Sequence, residues 1–210
     1  AVALGARVII LEELPDYQEE NVTYVKVENT HNALALMGAN FYDNPSKKLK
    51  LVGVTGTNGK TTTTSLLYQL FTKSGFKTGL ISTVEILIDQ KVVPTKHTTP
   101  DPLTINKHLA NMVDVGVDYC FMEVSSHGIA QERVAGLEFS GGVFTNLSHD
   151  HLDYHHTFAA YRDVKKRFFD QLPKRAFALI NLDDKNGAVM LQNTKARKIG
   201  YALKTFTDYR

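Results

Sequence analysis

Apolar and polar positions along this chain follow two rhythms, and the switches between them outline its elements. Apolar residues at 8–11 predict a short buried strand, and the alternation at 22–27 predicts a second. Ala33, Leu34, Leu36, Met37 and Phe41 recur at helical spacing and predict a helix over 32–42. The turn-forming, charged stretch Asp43-Asn44-Pro45-Ser46-Lys47-Lys48 then breaks the pattern and is read as a domain boundary, separating residues 1–47 from 48–210. Beyond it, strands are predicted at 51–55, 78–83, 119–124, 142–145, 177–181 and 198–201. Helices are predicted at 60–74, 102–115, 158–172 and 184–192, with a hairpin over 84–93 around Asp89-Gln90. In the helix at 60–74, Leu66, Leu67, Leu70 and Phe71 mark the expected buried face. Strands alternating with helices in this way predict an α/β domain with a doubly wound, mostly parallel sheet.

Composition narrows the partners. The 210 residues are 43% hydrophobic, enough to bury a core, and 24 basic against 22 acidic residues leave a net charge of +2. The charges are mixed along the chain, without the basic stripe that a phosphate backbone needs, so nucleic acid is not expected. Cys120 is the only cysteine, which excludes an internal disulfide and suits a reducing compartment. No apolar run approaches the roughly 20 residues that span a bilayer, and no signal peptide is visible. A cytoplasmic protein, without membrane insertion and monomeric, is the expectation. Because the chain opens at Ala1 without a methionine and stops at Arg210 just after a predicted strand, it is expected to be a fragment.

The segment from Leu51 to Thr61, LVGVTGTNGKT, carries the strongest chemical signal. It runs from a buried strand through a glycine loop into a helix, the context in which backbone N–H groups and a helix N-terminus cradle phosphate. Gly56, Thr57, Asn58, Gly59, Lys60, Thr61 and Thr62 are the expected ATP-binding residues. Lys60 is expected at the β and γ phosphates, and the Thr61 hydroxyl on Mg²⁺. The longer form GxxxxGK[ST] would require glycine where Val54 stands, so the match is to a shorter GxxGKT variant.

Four further clusters have both a bland and a functional reading. Glu123 closes an apolar strand, where it either meets water or holds a metal opposite Thr61. His149, His151, His155 and His156 crowd the segment 148–156, as a solvated turn or as metal and phosphate ligands. The string HxHxDH also suggests a metallo-β-lactamase-type hydrolase with zinc at His149, His151 and Asp153, although Tyr154 stands where its last histidine belongs. Lys165 falls on the apolar stripe of Phe158, Tyr161, Phe168, Phe169 and Leu172, whereas Lys166 and Arg167 point elsewhere. A lysine on such a stripe must snorkel, find an acid or change its chemistry. Asn181-Leu182-Asp183-Asp184 follows another strand, as a helix cap through Asp183 or Asp184 or as a contact to adenine or ribose. Thr55, Glu123, Asn146 and Asn181 all end predicted strands, so the clusters are expected to meet at one edge of one sheet.

GTNGKTTTT, HTTPD, EVSSHGIAQERV, TNLSHDHLDYH and INLDD, in this order and spacing, resemble the ATP-dependent Mur ligases of bacterial peptidoglycan synthesis over nearly the whole chain. Within that family the likeness is strongest to the branch that adds a diamino acid, diaminopimelate or lysine, to UDP-N-acetylmuramoyl-L-alanyl-D-glutamate. The resemblance implies an amide-bond ligase that activates the D-glutamate carboxylate as an acyl phosphate. It assigns Lys60, His151 and Lys165 to catalysis. Thr61, Glu123, His151 and Lys165 would hold Mg²⁺ at two sites, Lys165 as a CO₂-derived carbamate. Thr98, Thr99, Ser125, Gln131 and Arg133 would bind the UDP-N-acetylmuramoyl dipeptide, and Asn181 would lie beside adenine. Arginine is frequent in the family at the place of His149 and glycine at that of His156, so neither is assigned. Residues 1–47 would be the later part of a UDP-substrate domain and 48–210 an incomplete central ATP-binding domain. The third, amino-acid-selecting domain is absent, and the chain alone is expected to be inactive. Asp43-Asn44-Pro45-Ser46 resembles that domain's DNPR motif superficially and is read as linker.

Overall fold

The computed structural model describes residues 1–94 and 98–209. Among them, strands β1 (Val8–Leu11) and β2 (Thr23–Lys26) pair in parallel as a separate two-stranded sheet, followed by helix α1 (Thr30–Phe41). Asn29 caps α1 by accepting the N–H of Asn32 at 2.8 Å. Asp43 and Asn44 then take positive φ, 57° and 50°, which turns the chain into the main sheet.

That sheet is built from β3 (Lys50–Thr55), β4 (Thr78–Ile81), β5 (Ile86–Ile88), β6 (Lys91–Val93), β7 (Tyr119–Glu123), β8 (Gly141–Phe144), β9 (Phe177–Asn181) and β10 (Arg197–Tyr201). The spatial order is β10-β9-β8-β3-β7-β4-β5-β6. Strands β10 to β4 in that order are parallel, and β5 and β6 add an antiparallel hairpin at one edge. The first crossover, β3 to β4, passes over β7, and β8 and β9 are laid on the other side of β3. Strand order therefore reverses beside β3, where open α/β sheets bind their ligands. No helix among the described residues is long and apolar enough to cross a membrane.

Both faces of the sheet are covered. Leu51, Cys120, Met122 and Phe144 face a core shared with α3 (Pro102–Asp114) and α6 (Phe158–Asp170), through Ile105, Leu109, Met112, Phe168 and Phe169. Alternate positions Val52, Val54, Leu80, Phe121 and Val143 face the opposite side, against Leu67, Tyr68 and Phe71 of α2 (Lys60–Lys73). The two-residue period of a strand makes this division. Gly53 is required by α6, because a Cβ there would sit 2.6 Å from Phe168. Burial pushes the Cys120 thiol well up, leaving it a small hydrophobe in this core.

Several sequence expectations change in detail. The buried face of α2 is Thr64, Leu67, Tyr68 and Phe71, while Leu66 and Leu70 are 60% and 58% exposed. Leucines lie on both sides of this helix, and on the covered side the buried Thr64 satisfies its hydroxyl by donating back to Lys60 O. The helix expected at 184–192 is only α7 (Gly187–Met190), and neither Asp183 nor Asp184 caps it. Asp184 accepts the N–H groups of Leu147 and Asn186, at 2.8 Å each. Asp183 accepts those of Leu203, Lys204 and Thr205, which hold its carboxyl down to about 2. Lys166, off the apolar stripe, is buried as well and paired with Asp170 one turn on. Two short helices without a legible pattern, α4 (Ser126–Ala130) and α5 (Leu152–His155), follow β7 and β8.

Candidate functional site

Because β3, β7, β8 and β9 are neighbours running the same way, their carboxyl ends and the loops beyond them lie along one edge. At the centre, β3 leads through Gly56–Gly59 into α2. A Cβ on Gly56 (φ 153°) would fall 1.9 Å from Thr145 Oγ1, so only glycine lets the loop pass this close to the β8 exit. Asn146 holds the loop there, its carbonyl taking the Thr57 N–H at 2.8 Å and its Oδ1 the Asn58 N–H at 3.0 Å. Gly59 (φ 85°) precedes α2 without a side-chain cap, so the first-turn N–H groups stay open to an anion.

Two lysines flank this loop and share an acceptor. Lys60 Nζ, half-buried, donates to Gly56 O at 3.1 Å and Thr57 O at 2.9 Å. Burial lowers its pKa, and Glu123 and Asp150 oppose the fall. Lys165 Nζ reaches Gly56 O from below at 3.0 Å and Thr55 Oγ1 at 3.5 Å, with the Tyr161 ring 4.8 Å away. Lys165 is 0% exposed and has no carboxylate in salt-bridge range among the described residues. Burial first, then the neighbouring Lys60, pushes it down to about 7.

Glu123, fully buried at the end of β7, is aimed by Thr83. The Thr83 N–H donates to Oε1 at 2.8 Å and its hydroxyl to Oε2 at 3.2 Å. The same hydroxyl oxygen lies 3.0 Å from Thr98 Oγ1 and, with its proton on Glu123, is left to accept there. Thr99 is tied in at both ends: its hydroxyl donates to Glu123 O and accepts from Ser125 N–H, and its carbonyl accepts from Arg133 at 2.7 Å. Gln131 Oε1 accepts from Arg133 Nε at 3.0 Å and so fixes the guanidinium. Ser125 caps α4 by accepting the Gly128 N–H at 3.0 Å. His97, which opens the HTTPD motif, lies outside the described residues.

These groups line one cleft of about 450 Å³ containing Thr57, Asn58, Gly59, Lys60, Thr61, Thr98, Thr99, Glu123, Ser125, Arg133 and His151. Of the other expected site residues, Gly56 opens the loop and turns its carbonyl to Lys165 beneath it, and Gln131 lies behind Arg133, whereas Thr62 does not line the cleft. Asn181 is set apart, donating to Thr145 O at 2.8 Å beyond the β8 exit. Thr83 and His127 also line the cleft and were not assigned from sequence. The His127 ring packs on His151 at 4.9 Å and on Tyr154 at 4.3 Å, and burial lowers its pKa. His151 takes a positive φ of 53°, a strained setting for a side chain that faces the cleft.

Among the described residues, no three His, Cys, Asp or Glu side chains gather as a metal cage. His149 packs on Phe158, whereas His151 packs on His127. The assigned donors that share the cleft, the Thr61 hydroxyl, the Glu123 carboxylate and the His151 imidazole, suit a hard cation that takes its remaining ligands from phosphate and water.

Comparison with known proteins agrees with this architecture. The family described as Mur ligase middle domain matches residues 54–210. UDP-N-acetylmuramoyl-L-alanyl-D-glutamate–2,6-diaminopimelate ligase of Phocaeicola vulgatus is 57% identical over the whole chain, and that of Cytophaga hutchinsonii 56% over 98% of it. The chain spans 43% of the length of each. A solved structure bearing the same enzyme name superposes with a TM-score of 0.78 at 29% identity, covering 97% of this chain and 42% of that one. Folylpolyglutamate synthase of Mycobacterium tuberculosis, at 18% identity and a TM-score of 0.63, shares the fold. With its glycine loop, its carboxyl-edge cleft and all of its mostly parallel sheet beyond the start of β3 inside the matched region, the chain belongs to the Mur ligase family through that family's middle domain.

Proposed function

We propose that this chain is the ATP-binding part of a cytoplasmic amide-bond ligase that joins 2,6-diaminopimelate to UDP-N-acetylmuramoyl-L-alanyl-D-glutamate during peptidoglycan synthesis. Residues 1–47 belong to the UDP-substrate domain of that enzyme and 48–210 to its ATPase domain. The supporting observation is one cleft in which an open helix N-terminus, Lys60, Glu123 and His151 face Thr98, Thr99, Ser125 and Arg133. Triphosphate and carboxylate substrate would then meet in a single cavity. The relatives carrying that enzyme name give the reading its substrates.

In this reading the Gly56–Thr62 backbone and Lys60 hold the β and γ phosphates, and Asn181 lies towards the adenine. Arg133, oriented by Gln131, pairs with an anionic group of the muramoyl dipeptide, and Thr98, Thr99 and Ser125 position its D-glutamate. A carboxylate oxygen of that glutamate attacks the γ phosphorus, the bond to the β-phosphate oxygen breaks, and ADP leaves. The amine of the diamino acid then attacks the acyl carbon, phosphate departs, and the amine gives up a proton. Thr61, Glu123 and His151 would hold Mg²⁺, which supplies charge neutralisation for the transferred phosphoryl group. Lys165 suits carbamylation, because a buried amine pushed down to about 7 has a substantial neutral fraction at neutral pH, and the neutral amine is nucleophilic toward CO₂. The product is an anion beside Lys60, able to serve a second metal.

The test is an ADP-release and product assay on the full-length enzyme with ATP, Mg²⁺ and each muramoyl precursor, offering diaminopimelate or lysine. Turnover is expected only with the dipeptide precursor and diaminopimelate. Preference for another precursor or for a folate would replace the reading with a different ligase of this fold, and ATP-independent hydrolysis with bound zinc would replace it altogether.

A further inference from the structure

Tyr161 is the largest fully buried side chain among the described residues, and the proposed reaction leaves it without a role. It sits one helical turn before Lys165 on α6, and its hydroxyl approaches Thr57 Oγ1 at 3.1 Å across 104 residues of sequence. The same Thr57 oxygen lies 2.9 Å from Ser148 N and 3.2 Å from Ser148 O. A threonine hydroxyl has one proton to donate and two lone pairs to accept with. Those capacities fill in one way: Thr57 accepts from the Ser148 N–H and from the Tyr161 hydroxyl, and donates to Ser148 O. No hydrogen-bonding capacity of that hydroxyl is left for a phosphate, so Thr57 serves the loop from the inside.

We propose that Thr57 and Tyr161 are positioning residues, a two-hydroxyl clasp that locks the phosphate loop to the histidine loop and to the helix bearing Lys165. Each partner leads to a different part of the site. Thr57 lies between Gly56, whose carbonyl takes both lysines, and Asn58, held by Asn146. Ser148 is three residues before His151, whose positive φ makes its aim depend on how that loop is anchored. The Tyr161 ring underlies Lys165 Nζ at 4.8 Å and packs edge-on against His151 at 6.2 Å. One buried junction therefore sets the distance between the loop that takes the phosphates and the imidazole that faces them. A tyrosine that only filled the core could become phenylalanine without consequence for the cleft.

This inference rests on the proposed nucleotide site, and its test separates the two. Calorimetry would measure the affinity of a non-hydrolysable ATP analogue for the purified protein with Mg²⁺ and with EDTA. Tyr161→Phe is expected to weaken Mg²⁺-nucleotide binding about tenfold and metal-free binding much less, because the clasp aligns the loop with His151. Thr57→Val is expected to do the same, Thr57→Ser to bind like wild type, and the double variant to bind no more weakly than either single change. Tyr161→Phe binding within twofold of wild type, equal losses with and without Mg²⁺, or additive losses in the double variant would overturn the clasp. Wild-type protein that binds no nucleotide would instead overturn the site on which it rests. Thermal melting controls for folding, and a variant that fails to fold is replaced by Thr57→Ala in the same cycle.

Discussion

Lys60 and Lys165 donate to the same carbonyl, Gly56 O, at 3.1 and 3.0 Å, yet they stand in opposite environments. Lys60 opens α2 at the mouth of the cleft, half in solvent, with Glu123 and Asp150 supporting its charge. Lys165 lies on the inner face of α6, wholly covered and within the field of Lys60. The first can remain an ammonium and meet phosphate; the second can keep a charge only at high cost. Their difference teaches that burial, rather than residue type, divides the work between them. In the proposed reading the half-buried lysine acts as a cation, and the buried one does chemistry as an amine.

That division can be broken from either side. In the full-length enzyme, Lys165→Ala is expected to lower ligation roughly a thousandfold, with partial recovery when short carboxylic acids replace the missing carbamate. Wild-type-like ligation would remove Lys165 from the site. Lys60→Ala is expected to lower ATP turnover about a hundredfold without such recovery, since no carboxylate can stand in for a cation. Unchanged turnover would refute the loop assignment.

Stability should separate the two lysines as well. An unfolded lysine titrates near 10.5 and folded Lys165 at about 7, so between these values the unfolded chain binds a proton that the folded chain lacks. Lys165 therefore destabilises the fold fully below about pH 7, and its penalty fades as pH rises toward 10.5. In CO₂-depleted buffer, Lys165→Met should raise the melting temperature by several degrees at pH 7, and the gain should shrink by pH 9.5. A gain that grows with pH would have the wrong sign. The smallest effect is expected from Lys60→Met, a shift of under about 2 °C, because its ammonium is already partly hydrated; a large pH-dependent shift there would erase the contrast.

The legible parts of this site are those that local geometry forces into a pattern. Gly56, Gly59, Lys60 and Thr61 follow a buried strand because a phosphate loop needs small residues and a helix start within a few positions. Lys165 was readable because a charge on an apolar helical stripe is conspicuous, and its complete burial agrees. Strand ends were readable too, and parallel pairing of β3, β7, β8 and β9 brings them to one edge. What escaped has no local signature. The five-residue α4 looks like a turn, with Ser125 as its cap hidden in a Ser-Ser pair. The exposed Leu66 and Leu70 mimic a core stripe, since only the sheet decides which side of α2 is covered. His127, Thr83 and the Thr57–Tyr161 contact acquire meaning from partners distant in sequence: His127 meets His151, Thr83 meets Glu123 and Thr57 meets Tyr161 across 24, 40 and 104 residues. Tertiary placement supplies these, and no period along the chain encodes them.

The central claim is that the strand-end segments close on one metal-bound triphosphate with Lys165 beneath it. Its most direct test is a crystal structure with a non-hydrolysable ATP analogue and Mn²⁺, using anomalous scattering to find the metal. The account predicts a peak within coordination distance of Thr61 Oγ1, Glu123 and His151, with the triphosphate wrapped by residues 56–62. A metal or nucleotide bound away from this cleft, with His151 and Glu123 touching neither, would contradict it.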